Sequence, residues 1–241
     1  MKTRVIIGDI HGRDTWKKII EKENPNYVIF LGDYFDSFNI TPAEQKENFL
    51  DIVAYKDSKA PCEVTLLLGN HDFHYIGSVI GERYSGWNAE TANKIGYILG
   101  IEIDKGMPVV FIDSVNKTIY SHAGVSEKWA NTWVNGELGL INTVTYDSLK
   151  FTYRDGGDWH GSSVWNSPIW IRPDGLYKYP YKDHDNAIWN QVFGHTQQIQ
   201  PTKHVIDEAE FWNMDSLGGG YYMKEKLAEN GKLISREIFR I

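Results

Sequence analysis

Short apolar, β-branched runs alternate with helical-period segments over the first 75 residues. Val5-Ile6-Ile7, Val28 to Leu31 and Val64 to Leu68 read as buried strands. Between them, Arg13 to Glu23 places Trp16, Ile19 and Ile20 on one helical face. Thr41-Pro42-Ala43-Glu44 combines an N-cap, Pro at the first helical position and Glu three residues after the cap. It opens a helix to about Tyr55 with Phe49, Ile52 and Val53 inward. This βαβαβ rhythm predicts a parallel sheet with right-handed crossovers. Asn88 to Leu99 reads as another helix, stopped by Gly100, and strand-like runs follow at Val109 to Ile112 and Thr118 to Tyr120. Residues 125–165 predict a short helix and then a long loop over the site, a length that in compact domains usually carries function. After Gln191-Val192-Phe193 come Val205-Ile206, Glu210 to Asn213, Tyr221 to Met223 and Leu233 to Phe239. Their turn-separated spacing predicts a second, largely antiparallel sheet packed on the first.

No linker, repeat or low-complexity tract interrupts this pattern, so a single domain over residues 1–241 is expected. The net charge of -7 leaves no basic face for wrapping nucleic acid. Cys62 is the single cysteine, which excludes an intrachain disulfide framework. Met1-Lys2-Thr3-Arg4 leads directly into a strand, and no apolar run approaches the roughly 18 residues of a membrane span. A cytoplasmic protein without a membrane partner is the expectation. The 9 Trp and 14 Tyr are assigned chiefly to core and rim packing.

The chemistry sits in five islands: Asp9-Ile10-His11, Gly32 to Asp36, Gly69-Asn70-His71-Asp72, Ser121 to Gly124 and Gly194-His195-Thr196. The first three directly follow the apolar runs, and residues just past strand ends line the ligand crevice of an α/β sheet. Oxygen and imidazole donors converging there are what a pair of divalent metals needs. Asp9, His11 and Asp33 are assigned to one metal, and Asp33, Asn70, His122 and His195 to the second, with Asp33 bridging. Two metals roughly 3.5–4 Å apart lower the pKa of a bridging water and clamp a phosphoryl group for in-line attack. Mixed nitrogen and oxygen ligation suits Mn²⁺, Fe or Zn²⁺ better than Mg²⁺ or Ca²⁺, and Mn²⁺ is the expected ion.

His71 follows a ligand and faces the substrate side, where Asp36 can hold it as an imidazolium acting as general acid. His74, His160, His184 and His204 lie outside the islands and are assigned to surface or packing, with a place on the pocket rim as the alternative for His74 and His160. Asp155-Gly156-Gly157-Asp158 reads as a solvated turn, because it lacks the further ligands of a Ca²⁺ loop.

These motifs resemble the calcineurin-like metallophosphoesterases, in the branch of small bacterial and phage-type Ser/Thr phosphatases and symmetrical dinucleoside tetraphosphatases. The resemblance spans residues 5 to about 221 and includes Trp170-Ile171-Arg172 and Met214-Asp215-Ser216-Leu217-Gly218, similar to the family's late D-T-G turn. It implies a four-layer αββα sandwich, two mixed β-sheets flanked by helices, with the same ligand set and a His71–Asp36 acid dyad. Gln197 stands where related phosphodiesterases carry a second His, which favours the phosphatase branch. Ser37 stands where that branch carries a phosphate-clamping Arg. Arg172 fits the place of the second family arginine, and Arg13 is the candidate to supply the lost charge. The implied activity is phosphomonoester hydrolysis on a phosphoprotein, nucleotide or small ester. Two alternatives are phosphoanhydride hydrolysis of a dinucleoside polyphosphate and a catalytically silent scaffold, and the complete ligand set weighs against the latter.

Overall fold

The computed structural model describes residues 1–58, 62–76, 83–143, 149–153 and 162–241. Among the described residues, ten strands form two five-stranded mixed sheets flanked by helices. In the first sheet the order is β10-β9-β1-β2-β3, comprising Leu233–Arg240, Tyr221–Leu227, Lys2–Ile7, Tyr27–Phe30 and Glu63–Leu66. The second is ordered β4-β5-β6-β8-β7, comprising Val110–Asp113, Thr118–Ser121, Asn190–Phe193, Ala209–Asn213 and Thr202–Ile206.

The parallel core β1-β2-β3 follows the expected βαβαβ path. Helix α1 (Thr15–Glu23) buries Trp16 and Ile19 and ends at Asn24, whose left-handed conformation lets its N–H donate to Ile20 O at 2.8 Å. Arg13 precedes this helix and lies in the turn that follows β1. Helix α2 (Pro42–Asp57) starts at the predicted capping box, where Glu44 N–H donates to Thr41 Oγ1 and Thr41 N–H to Glu44 Oε2. Alternate residues of the sheets serve two layers. Ile6, Ile29, Tyr120, Val192 and Met223 pack between the sheets, while Val5, Val28 and Phe30 belong to the cluster that includes the helical residues Trp16, Phe49 and Ile52.

Two expectations are corrected. Helix α4 runs Ala89–Asp104, straight through Gly100. A helical Gly costs only about 1 kcal/mol relative to Ala, and the next turn contributes Glu102, buried and paired with Lys56 at 2.6 Å and Lys105 at 2.9 Å. The late strands also do not form a sheet of their own. β7 and β8 join β4, β5 and β6, whereas β9 crosses back and pairs antiparallel with β1, carrying β10 beyond it. Period-2 alternation marks a strand but not its partner, and β1 had an unpaired edge to offer.

Residues 125–165 begin with the expected short helix, α5 (Glu127–Val134), followed by 3₁₀ turns at Leu138–Thr143 and Leu149–Phe151. The loop expected beyond them lies partly outside the described residues, as do Asp155 to Asp158 and His160. Among the described residues, no helix is long and apolar enough to cross a membrane.

A buried charge network joins the sheets in the N-terminal half of β1. Glu225 on β9 accepts from Arg4 Nε and Arg236 Nε, both at 2.6 Å, and from the Tyr120 hydroxyl of the opposite sheet at 2.8 Å. Arg4 Nη2 also donates to Asp113 at 2.8 Å. Removing one member of such a network leaves uncompensated buried charge. Glu225→Ala is expected to cost about 3–5 kcal/mol, read as a lower urea midpoint at unchanged slope. A midpoint equal to wild type would show that the sheets do not depend on this contact.

Candidate metal centre and active site

The turns after the strands bring the five islands to one cleft of ≈ 520 Å³. Asp9, His11, Arg13, Asp33, Asp36, Asn70, His71, Arg172 and His195 all line it, with Ser37 and Gln197. His122 lies fully buried beneath, at the end of β5. Four of these residues, His11, Asp33, Asp36 and His195, hold positive φ between 43° and 65°. Non-glycine residues held there are strained, and the turns hold them there because the surrounding bonds over-determine the backbone. Glycines permit the close approaches between turns: a Cβ on Gly69 would lie 2.2 Å from Asp33 Oδ1, and one on Gly194 would lie 2.0 Å from Asp9 Oδ1.

Asp72 supplies much of that determination. Fully buried, it accepts the amides of Asp33 and Tyr34 at 2.8 Å each and that of Gly69 at 2.9 Å. One carboxylate thus staples the turn after β2 to the turn after β3. Asp33 Oδ1 then accepts the His71 amide at 2.9 Å, and Asp9 accepts the His195 amide at 3.0 and 3.2 Å through its two oxygens.

The imidazole tautomers follow from the backbone. His11 Nδ1 lies 2.6 Å from Phe35 O and His122 Nδ1 lies 2.9 Å from Leu31 O. A carbonyl only accepts, so both Nδ1 atoms carry the proton and both Nε2 atoms present lone pairs. Burial pushes His11 down to about 4 and His122 down to about 3, which keeps both neutral. The two lone pairs face one oxygen, Asp33 Oδ2, at 3.7 and 3.4 Å. Asn70 Oδ1 lies 2.8 Å from His122 Nε2 and 2.9 Å from His195 Nδ1.

Acceptors facing acceptors in a buried site call for cations between them. The carboxylates say the same. Burial, then the nearby Asp215 and Asp33 charges, hold Asp9 well above the usual range, and burial followed by the Asp72 charge does so for Asp33. Burial also raises Asp72 to about 7 and Asp215 to about 6. Asp9, His11 and Asp33 bring one ligand atom each within 4.8 Å of one another. The residues therefore fit divalent-metal binding, with Asp9, His11 and Asp33 as a candidate group.

Asp36, His71 and His74 also lie close together, with one hydrogen bond, from His71 to Asp36, and a close polar contact from His74 to the same oxygen. His71 Nδ1 and His74 Nε2 each stand 2.7 Å from Asp36 Oδ2. Tyr84 N–H donates to His74 Nδ1 at 3.1 Å, so the Nε2 of His74 carries a proton and no ligand lone pair.

Of the surface or packing reading of His74, the surface half is corrected: its ring is buried against Asp36, beside His71. His71 and His74 are three apart on the short helix α3 (Asn70–Phe73) and its cap, and that helical spacing is the signal that places them together. Asp72 gives no local sign of its part, because a staple to three amides of two separate turns is visible only in three dimensions. His184 is exposed and pairs with Glu137 at 3.1 Å, and His204 stacks on Tyr177 at 4.3 Å.

Comparisons with known proteins agree with this geometry. A family model described as calcineurin-like phosphoesterase matches residues 3–227. No curated protein matches the chain. Among solved structures, the cold-active protein-tyrosine phosphatase of a psychrophilic Shewanella species is similar, with 19% identity and a TM-score of 0.54 over 99% of this chain and 80% of that one. A protein serine/threonine phosphatase from Saccharomyces cerevisiae, with similarity to human phosphatase PP5, gives 13% identity and a TM-score of 0.58 over 100% and 80%. At these identities the likeness shows the fold alone.

Metal binding should release protons, because Asp9 and Asp33 can ligate only as carboxylates and are held above their usual range. Titration calorimetry with Mn²⁺ at pH 6, in two buffers of different ionisation enthalpy, should give different apparent enthalpies. Apparent affinity should weaken as pH falls, because protons then compete with the metal for the raised Asp9 and Asp33 carboxylates. Identical heats in both buffers would show that the carboxylates are not protonated in the metal-free cleft.

Proposed function

Because the chain belongs to the calcineurin-like phosphoesterase family, we propose that it is a metal-dependent phosphomonoesterase working through two divalent cations, Mn²⁺ in the first instance. The observation that carries this reading is Asp33 Oδ2 facing the lone pairs of His11 and His122 at 3.7 and 3.4 Å. Asp9, His11 and Asp33 would hold one ion, and Asp33, Asn70, His122 and His195 the other. When bound, the pair supplies positive charge for the phosphoryl oxygens and lowers the pKa of the water between them.

The chain's own residues do the remaining work. Arg172 and Arg13 enter the cleft as guanidinium groups suited to phosphate oxygens. The Nδ1 atom of His71 donates to Asp36 Oδ2 at 2.7 Å, which leaves Nε2 to deliver a proton to the departing oxygen. Asp36 supports the charged form of that imidazole: contacts with His71, then His74, hold its carboxyl below the usual range against the opposing effect of burial. Gln197, at the position where phosphodiesterases carry a further histidine, favours monoesters.

The cleft exceeds what a phosphoryl group fills, and Phe38, Tyr84 and Trp170 form part of its wall. Phe38 is 80% exposed, a cost for an aromatic ring that a substrate body can offset. A phosphopeptide or a nucleotide matches that wall better than a bare small ester. The same observation keeps phosphoanhydride hydrolysis of a dinucleoside polyphosphate as the second reading, separated by its nucleoside diphosphate products.

His71→Asn should retain bound metal and lower kcat by about 10²–10⁴-fold on poor leaving groups, with a smaller loss on very acidic ones. Asp33→Asn should instead lose metal by elemental analysis together with activity. Equal losses for His71→Asn across an aryl phosphate series would remove it from the acid role, and Asp33→Asn with full metal and activity would remove the metal pair. Ser37 lines the cleft without a charge. Ser37→Arg should therefore lower KM for a small aryl monoester severalfold at similar kcat, and an unchanged KM would sink the missing-clamp argument. Wild-type diester hydrolysis exceeding monoester hydrolysis would overturn the phosphomonoesterase reading itself.

A further inference from the structure

We infer that His74 is a positioning residue for the proton donor, fixing the Asp36 carboxylate against His71 and tying the acid dyad to the aromatic wall of the cleft. The inference rests on the phosphoesterase reading with His71 as the acid.

His74 has its side chain fully buried and sits where three attachments meet. Its Nδ1 accepts the Tyr84 amide, so the ring is neutral with the proton on Nε2, 2.7 Å from the same Asp36 oxygen that His71 contacts. That Nε2 approaches the oxygen off the axis of an aligned hydrogen bond and finds no other partner among the described residues. The Asp36 contact is therefore the one this buried donor has to make. Asp36 Oδ1 accepts the Tyr75 hydroxyl at 2.5 Å, and that hydroxyl in turn accepts the Asn88 amide at 3.2 Å. With His71 bonded to one oxygen, His74 Nε2 pressed against the same oxygen and the Tyr75 hydroxyl bonded to the other, rotation of the carboxylate away from His71 is opposed at both oxygens.

The link to the wall is equally direct. The Tyr84 ring stacks on His74 at 5.3 Å and 13°, and meets Trp170 edge-on at 4.4 Å. Trp170 reaches His195 at 5.6 Å. Gly86, at φ +92°, lies so close to the acid that a Cβ there would stand 2.6 Å from Asp36 Cβ. The segment that places Tyr84 and Ser85 in the cleft is thus laid against the same carboxylate that orients His71.

Supporting partners of this kind are typically worth about 10–100-fold, because misplacing a reacting group by ~1 Å has that order of effect. His74→Leu should lower kcat by about that factor on poor leaving groups and by less on acidic ones, with unchanged metal content. His74→Gln can return an N–H near the Nε2 position and should recover most of kcat. His74→Asn can face only the Tyr84 amide and should not. In the His71→Asn background, His74→Leu should add no further loss, since its effect runs through the acid. A readout without turnover is the imidazole N–H proton of His71 in the NMR spectrum of the metal-free protein, expected to persist in His74→Gln and to exchange away in His74→Asn. The inference is overturned if His74→Leu costs the same in both backgrounds, if its cost is independent of the leaving group, or if Asn rescues better than Gln. Should His74→Leu fail to fold, the Gln and Asn pair still decides. A His71→Asn variant with wild-type kcat would instead overturn the reading of His71 as acid, which separates the two failures.

Discussion

The protein's architecture depends on holding several carboxylates and imidazoles, most of them buried, at the ends of its strands. Burial raises Asp9, Asp33, Asp72 and Asp215 above the ordinary range, and neighbouring carboxylate charges add to the rise for Asp9 and Asp33. Buried charge of one sign is costly unless countered. Divalent cations are the natural counter-charge, because the neutral imidazoles present lone pairs to the same oxygens. The energetic liability of the apo cleft and the capacity for phosphoester chemistry are one feature seen from two sides.

The backbone is arranged around that liability. Left-handed turns at His11, Asp33, Asp36 and His195 aim side chains that ordinary extended exits from the strands would point elsewhere. Asp72 accepts three amides from two turns, so a group that ligates nothing sets the position of Asp33 and, through it, of His71. On the far side of Asp36, His74 and Tyr75 play a comparable part. The strain is local and its support is distributed, as expected where a site must be preformed before its cations and substrate arrive.

The two-sheet frame makes the site possible by bringing β1, β2 and β3 of one sheet up to β5 and β6 of the other. His122 and His195 come from the second sheet and converge on Asn70 from the first. The Glu225 network clamps Arg4 and Arg236 to Tyr120 across the same interface. Sheet packing and assembly of the cleft are thus coupled: a shift between sheets would move two imidazoles relative to the carboxylate and amide oxygens they face.

The amino-acid sequence alone determined what is local. Val5 to Ile7, Val28 to Leu31 and Val64 to Leu68 are strand-like by composition. Thr41-Pro42 starts a helix by its own hydrogen bonding, and the donor residues sit directly after strands, where topology must gather them. The islands therefore pointed to the calcineurin-like phosphoesterase family, to which the chain belongs. Only the tertiary structure decided the contacts whose members are far apart in the chain. β9 chose the free edge of β1 over the second sheet, since alternation gives a strand two faces but no address. Helix α4 continued through Gly100 because Glu102 found Lys56 from another helix. His74 became part of the acid group because Asp36, in another turn, left an oxygen within its reach. Capping, periodicity and strand propensity act over a few residues and can be read in order. Charge pairing and edge pairing act through space, and they exist only once the chain has folded.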